Sequence, residues 1–120
     1  MTSKKHIRRT LLLDEGLPPK EKFPQLNKLH TLKHIIHDLR IPGTKDPVIY
    51  MLAIKEGYDF ILIFNTKDFK KLRKKDGTSI ISLSTNLSNK QIDLKICSML
   101  RKVNHGDIRG KIFSISNESK

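Results

Sequence analysis

Four acidic positions in this chain fall where a short apolar stretch gives way to a turn or a helix start. Asp14 and Glu15 close the run Leu11 to Leu13, Asp46 stands before Pro47, and Asp68 follows the most apolar segment, Asp59 to Phe64, by way of Asn65, Thr66 and Lys67. Carboxylates gathered from separate segments are hard oxygen donors. Two or three of them can hold Mg²⁺ or Mn²⁺ while water fills the remaining positions, and such an ion aligns an attacking water and offsets charge on a phosphate. Six cations, Lys67, Lys70, Lys71, Arg73, Lys74 and Lys75, surround Asp68 with only Phe69 and Leu72 as apolar company. That run suits contact with a phosphate backbone, which would lie over the acidic hole; its plainer reading is a solvated helix face.

Each acid also has a structural alternative. Asp14, at the end of an apolar strand, has few structural reasons to be charged. Glu15, next in the turn, points elsewhere and reads as a solvent-facing or supporting residue. Capping alone would explain Asp46, and the first turn of a basic helix favours a carboxylate at Asp68 in any case. His6, His30, His34 and His37 lack the helical spacing of a zinc pair, and in a strand His34 and His37 would face opposite ways. Cys97 has no partner for a disulfide or a C-x-x-C pair; it reads as a small buried hydrophobe on a helix.

The elements that must position these residues alternate along the chain. Ile7 to Leu13 reads as a strand, Lys20 to His30 as a helix that Pro24 shortens or distorts, and Lys33 to Leu39 as a strand ended by Pro42-Gly43. Asp46-Pro47 opens a helix that Gly57 stops. Asp59 to Phe64 reads as the central strand, buried on both faces. A basic helix over Lys67 to Lys75 and an Asp76-Gly77 turn lead to a strand over Thr78 to Ser84. Ser88 and Gln91 have capping-box spacing ahead of a helix that runs to His105-Gly106, and Lys111 to Ser116 is the last strand. This order predicts an α/β fold with a mostly parallel sheet, in which ligands gather beyond the carboxyl ends of the strands.

At 120 residues the chain has the size of one domain, with residues 1–5 and 117–120 expected as tails. Lys and Arg number 24 against 12 Asp and Glu, a net charge of +12 that favours polyanionic partners, nucleic acid first. No apolar run is long enough to cross a bilayer, and the stretch after the basic first ten residues is too short for a signal-peptide core. The sequence therefore reads as that of a cytoplasmic protein without a membrane partner.

Three segments, LLLDEGLPP, IPGTKDPVIYMLAIKEGY and ILIFNTKDF, resemble in order and spacing the PIN-like domain family, small nuclease domains related to the toxin nucleases of toxin–antitoxin pairs. The resemblance covers Thr10 to about Ser84. It implies a Rossmann-like, PIN-type three-layer fold and a Mg²⁺- or Mn²⁺-dependent endoribonuclease. Asp14 then matches the first-strand metal ligand and Asp46 the acid opening the second helix. Asp68 matches the second aspartate of a T-x-D-x-D-F segment, with Phe69 its closing phenylalanine.

The chain departs from the family at three points. Thr66 replaces the first aspartate of that segment, Phe64 its leading threonine, and Gly16 the asparagine common in LLLDEN. Losing a carboxylate weakens a metal site, though Glu15, Asn65 and Thr66 could lend oxygens to a rearranged one. RNA is the implied substrate, an antitoxin protein the implied partner, and a homodimer is compatible with both. The alternative is a catalytically impaired PIN-like module that binds RNA or a protein partner. A receiver-like signalling domain is disfavoured because Asn65 stands where a phosphoacceptor aspartate would be needed.

Overall fold

A computed structural model of the chain describes residues 7–41, 43, 46–64, 71–72, 74, 77–103 and 108–116. Five short runs form strands: β1 (Thr10–Leu13), β2 (Thr31–His34), β3 (Phe60–Phe64), β4 (Ser79–Leu83) and β5 (Ile112–Ile115). They make one sheet in the order β2-β1-β3-β4-β5, and every neighbouring pair is parallel. Among the described residues three α-helices accompany them, α1 (Pro24–Leu29), α2 (Asp46–Lys55) and α3 (Asn89–Lys102).

The sheet is a middle layer, because alternate residues of its inner strands go to opposite cores. Leu11, Leu13, Phe60, Leu62, Ile81 and Leu83 pack with Leu26 of α1 and Ile92, Ile96 and Leu100 of α3. Leu12, Ile61, Ile63 and Ile80 pack with Ile49, Tyr50 and Ala53 of α2. A parallel sheet covered on both sides needs apolar residues at every position of its central strand, and Phe60 to Ile63 are all buried. The α/β layered architecture expected from the alternation of elements is thus observed, with β3 in the middle of the sheet.

Since α1 and α3 share a face while the steps β1 to β2 and β4 to β5 run in opposite directions, these two crossovers have opposite hands. The β4-α3-β5 unit also differs from β2-α2-β3, although about 98% of such units are right-handed. With α3 on the α1 side, the other face of β5 is left open among the described residues, and Ile112 and Ser114 are exposed there.

Local signals account for the helix ends. Ser88 accepts the Gln91 N–H at 3.1 Å while the Gln91 side chain accepts the Ser88 N–H at 2.8 Å, the reciprocal capping box the spacing implied. α2 stops as Gly57 takes φ +78°, with Tyr58 N–H donating to Ala53 O and Gly57 N–H to Ile54 O.

Several boundaries differ from the sequence expectation. The first strand starts at Thr10, not Ile7. The helix expected over Lys20 to His30 is a 3₁₀ turn, Lys20–Lys22, followed by α1, whose first residue is Pro24; proline lacks the N–H an interior position would use but suits a first one. The strand expected over Lys33 to Leu39 is β2, and residues 35–39 turn away. There the His34 carbonyl accepts from Asp38 and Leu39 N–H while the Asp38 carboxylate accepts the His34 N–H at 2.7 Å, so these groups are spent locally instead of on a ladder. Consequently His34 and His37 do not face opposite ways; their ring centroids are 4.4 Å apart. α3 ends at Lys102, before His105-Gly106, which lies outside the described residues. The same holds for the two expected tails, residues 1–5 and 117–120, and for most of the expected basic helix, residues 67–70, 73 and 75.

Candidate functional site

From β1 the chain passes through α1 to β2 on one side of the sheet, whereas β3 leads on to β4 on the other. In open α/β sheets a switch point such as this one between β1 and β3 is where ligands bind, beyond the carboxyl ends of the strands. Asp14 is the first residue past β1, and its N–H still donates to Leu62 O of β3 at 3.1 Å. Alternation that sends Leu12 to the α2 side sends Asp14 the same way, toward Asp46 in the first turn of α2, where the helix dipole favours an anion.

The Asp14 carboxyl is half-buried, and a turn closed by Leu17 N–H on Asp14 O at 3.0 Å wraps beneath it. Burial pushes its pKa above the usual carboxylate range; N–H groups of Gly16 and Glu15 pull against that, and the Asp46 and Glu15 charges add to the rise. The Asp46 charge, 32 residues further along the chain, thus adds to the rise at Asp14 after burial has set it.

Glu15 diverges from Asp14. Its Oε1 accepts the Gly43 N–H at 3.2 Å, three residues ahead of Asp46. Gly16 has its Cβ direction 3.8 Å from Asp14 Oδ2 and 3.8 Å from Phe64 Cδ2. The Phe64 ring thus forms an apolar wall beside the acidic turn, at the position where the resemblance would put a threonine.

Asn65, Thr66, Lys67, Asp68, Phe69, Lys70, Arg73 and Lys75 lie outside the described residues. Lys71 and Lys74 are exposed. The Lys74 N–H donates to Tyr50 Oη at 3.0 Å, and Tyr50 Oη donates to Thr78 O at 2.7 Å. Thr78 precedes β4, so the Lys74 backbone stands toward the amino end of that strand, away from Asp14.

Among the described residues no group of three His, Cys, Asp or Glu side chains converges as a metal site would. Asp14 and Asp46 are nevertheless a donor pair of the right chemistry, since Mg²⁺ commonly takes one or two carboxylates and completes its shell with water and substrate phosphate. Cys97 offers no nucleophile: burial, then the Asp93 charge, push its thiol up to about 11.

Two polar residues that sequence reasoning passed over hold this end of the molecule together. Asp93 sits in the buried stripe of α3 between Ile92 and Ile96 and binds the start of α1; an acid inside an apolar stripe was its only signal. His34 is fully buried at the end of β2, and nothing local distinguished it from the other histidines. No helix among the described residues is long and apolar enough to cross a membrane. Comparison with protein-family models, curated proteins and solved structures gave no match to this chain.

Proposed function

We propose that the protein is a Mg²⁺- or Mn²⁺-dependent ribonuclease of the PIN-like type, acting as the toxin half of a toxin–antitoxin pair. The observation that supports this reading is the place of Asp14, one residue past β1 at the β1/β3 switch point and on the side of the sheet covered by α2, which Asp46 opens. Two carboxylates at such a point would gain from a bound cation. The net charge of +12 supplies the attraction for an RNA backbone.

Asp14 and Asp46 would hold the metal, joined from the sequence by Asp68, with oxygens of Asn65 or Thr66 in support. The ion supplies a water of lowered pKa and a counter-charge for the phosphate. Asp14 would be oriented for this by the N–H groups of its own turn, while Glu15 is engaged with the Gly43 N–H. Lys67 and Lys70, which follow β3 most closely in sequence, would hold the backbone of the substrate, whereas Lys74, expected to join them, stands toward the amino end of β4.

The test is cleavage of a mixed structured RNA pool by purified protein with Mn²⁺, Mg²⁺ or EDTA, and Asp14→Asn prepared identically. Metal-dependent products that vanish in the variant support the nuclease. Salt-sensitive, EDTA-resistant binding with no product under any metal would move the protein to the non-catalytic RNA-binding class. Asn65 stands after β3, where a receiver-like domain of this strand order would need its phosphoacceptor, and an amide cannot become an acyl phosphate.

A further inference from the structure

Every polar group of His34 is engaged. Its backbone N–H donates to Asp38 Oδ2 at 2.7 Å, and its carbonyl accepts from Asp38 and Leu39. In the ring, Nδ1 accepts the N–H of Ile36 at 3.0 Å and of His37 at 3.3 Å. A nitrogen that receives two N–H groups carries its lone pair, so the proton of the neutral ring is on Nε2. Nε2 lies 2.6 Å from Leu17 O and donates to it.

That last bond crosses from β2 to the turn that carries Asp14. Leu17 is the residue whose N–H closes on Asp14 O, and in the sheet Leu13, immediately before Asp14, is the register partner of His34. The Asp14 turn is thereby fixed at both ends: by the ladder at Leu13 and by the imidazole at Leu17. The ring is fully buried and borders His37, while the charged Asp38 and Lys20 pair 3.5 Å apart beside the same turn. We propose that His34, as its Nε2–H tautomer, is the positioning residue for Asp14. It fixes the turn that holds the carboxyl on the Asp46 side of the sheet, where the nuclease reading puts the metal. This rests on the nuclease reading above, whereas the latch itself does not.

Two substitutions separate the two ring nitrogens. Gln at this position can offer an N–H to Leu17 O, as Nε2 does; Asn can offer an oxygen to Ile36 and His37, as Nδ1 does, but falls short of Leu17. In the full chain, hydrogen exchange at the Leu17 amide should quicken about tenfold in His34→Asn, the worth of one buried hydrogen bond, and stay near wild type in His34→Gln. RNA cleavage should follow the same order, with kcat falling in His34→Asn, KM little changed, and rescue by His34→Gln.

In wild-type protein, long-range ¹H–¹⁵N spectra should show His34 protonated at Nε2 and bare at Nδ1. A Nδ1–H ring overturns the proposal even if a variant fails to fold. Equal exchange at Leu17 in all three proteins overturns it, as does undiminished kcat in His34→Asn. If wild type cleaves nothing in any metal while the exchange pattern holds, the nuclease reading fails and the latch stands.

Discussion

Asp93 of α3 accepts the backbone N–H of Leu26 at 2.8 Å through Oδ1, and its Oδ2 accepts that of Gln25 at 3.0 Å. These are unsatisfied donors of the first turn of α1, which opens on Phe23 and Pro24 and has no side-chain cap of its own. A distant carboxylate does the work usually done by a local Ser or Asp. Because Asp93 and Leu26 are buried, its removal strands the Leu26 donor away from water, while that of the exposed Gln25 loses its charged partner. Asp93→Ala should cost about 3 kcal/mol, charge-assisted bonds being worth roughly 1.5–3 kcal/mol each before the relief of a buried charge. That loss should lower Tm by on the order of 10 °C, and a thermal melt reads it directly. A change within one or two degrees would show that the pair carries no net stability.

Gly16 stands where the family resemblance expects asparagine. Its φ is not in the positive range that favours glycine, and an added Cβ would make only ordinary 3.8 Å contacts with Asp14 Oδ2 and Phe64 Cδ2. Gly16→Asn should therefore fold with stability within about 1 kcal/mol of wild type. It also brings a carboxamide oxygen toward the acidic turn, so if Asp14 holds the metal proposed for it, Mn²⁺ affinity by titration calorimetry should rise a few-fold. A large drop in Tm would mean that the turn depends on glycine.

Local chemistry made part of this structure readable in advance. Phe60 to Phe64 declares a doubly covered strand by composition, Ser88 and Gln91 declare a helix start by spacing, and Asp46-Pro47 with Gly57 brackets α2. What defeated the reading was chemistry between segments. The apolar pair Ile35-Ile36 looks like strand, yet His34 and Asp38 capture the N–H and carbonyl groups that a longer β2 would need. The cap on α1 comes from Asp93, 67 residues beyond Leu26. For the candidate site, Asp14 and Asp46 could be named from their places at element ends. Their proximity depends on the sheet order, which no local pattern encodes, and Glu15 proved to be occupied with Gly43.

Thr66 replaces the carboxylate that the resemblance puts between Asn65 and Lys67. If the site is a metal-dependent nuclease, restoring that charge should strengthen it: Thr66→Asp should tighten Mn²⁺ binding by about tenfold, an added carboxylate being the main lever on affinity for a hard cation. RNA cleavage should rise with it. Unchanged binding and cleavage would show that this position does not reach the ion.

Asp14 should reveal its role through stability as much as through cleavage. Its folded pKa is raised, chiefly by burial, above the ordinary value of 3.8. Below that ordinary value the carboxyl is protonated in both folded and unfolded chains and burdens neither. As pH rises through the raised folded value, the unfolded chain has already released its proton and the folded chain is held back, so the fold loses stability. Asp14→Asn removes this loss. The variant should melt higher than wild type at pH 7, and the gap should close as pH falls below 3.8. Adding Mn²⁺ should reverse the order, because a ligand bound only by the native state stabilises it by about 2.7 kcal/mol at a hundred times its Kd. Wild type gains that increment and the variant does not. Equal shifts in both proteins, or none in either, would count against Asp14 as a metal ligand whatever the cleavage assay gave.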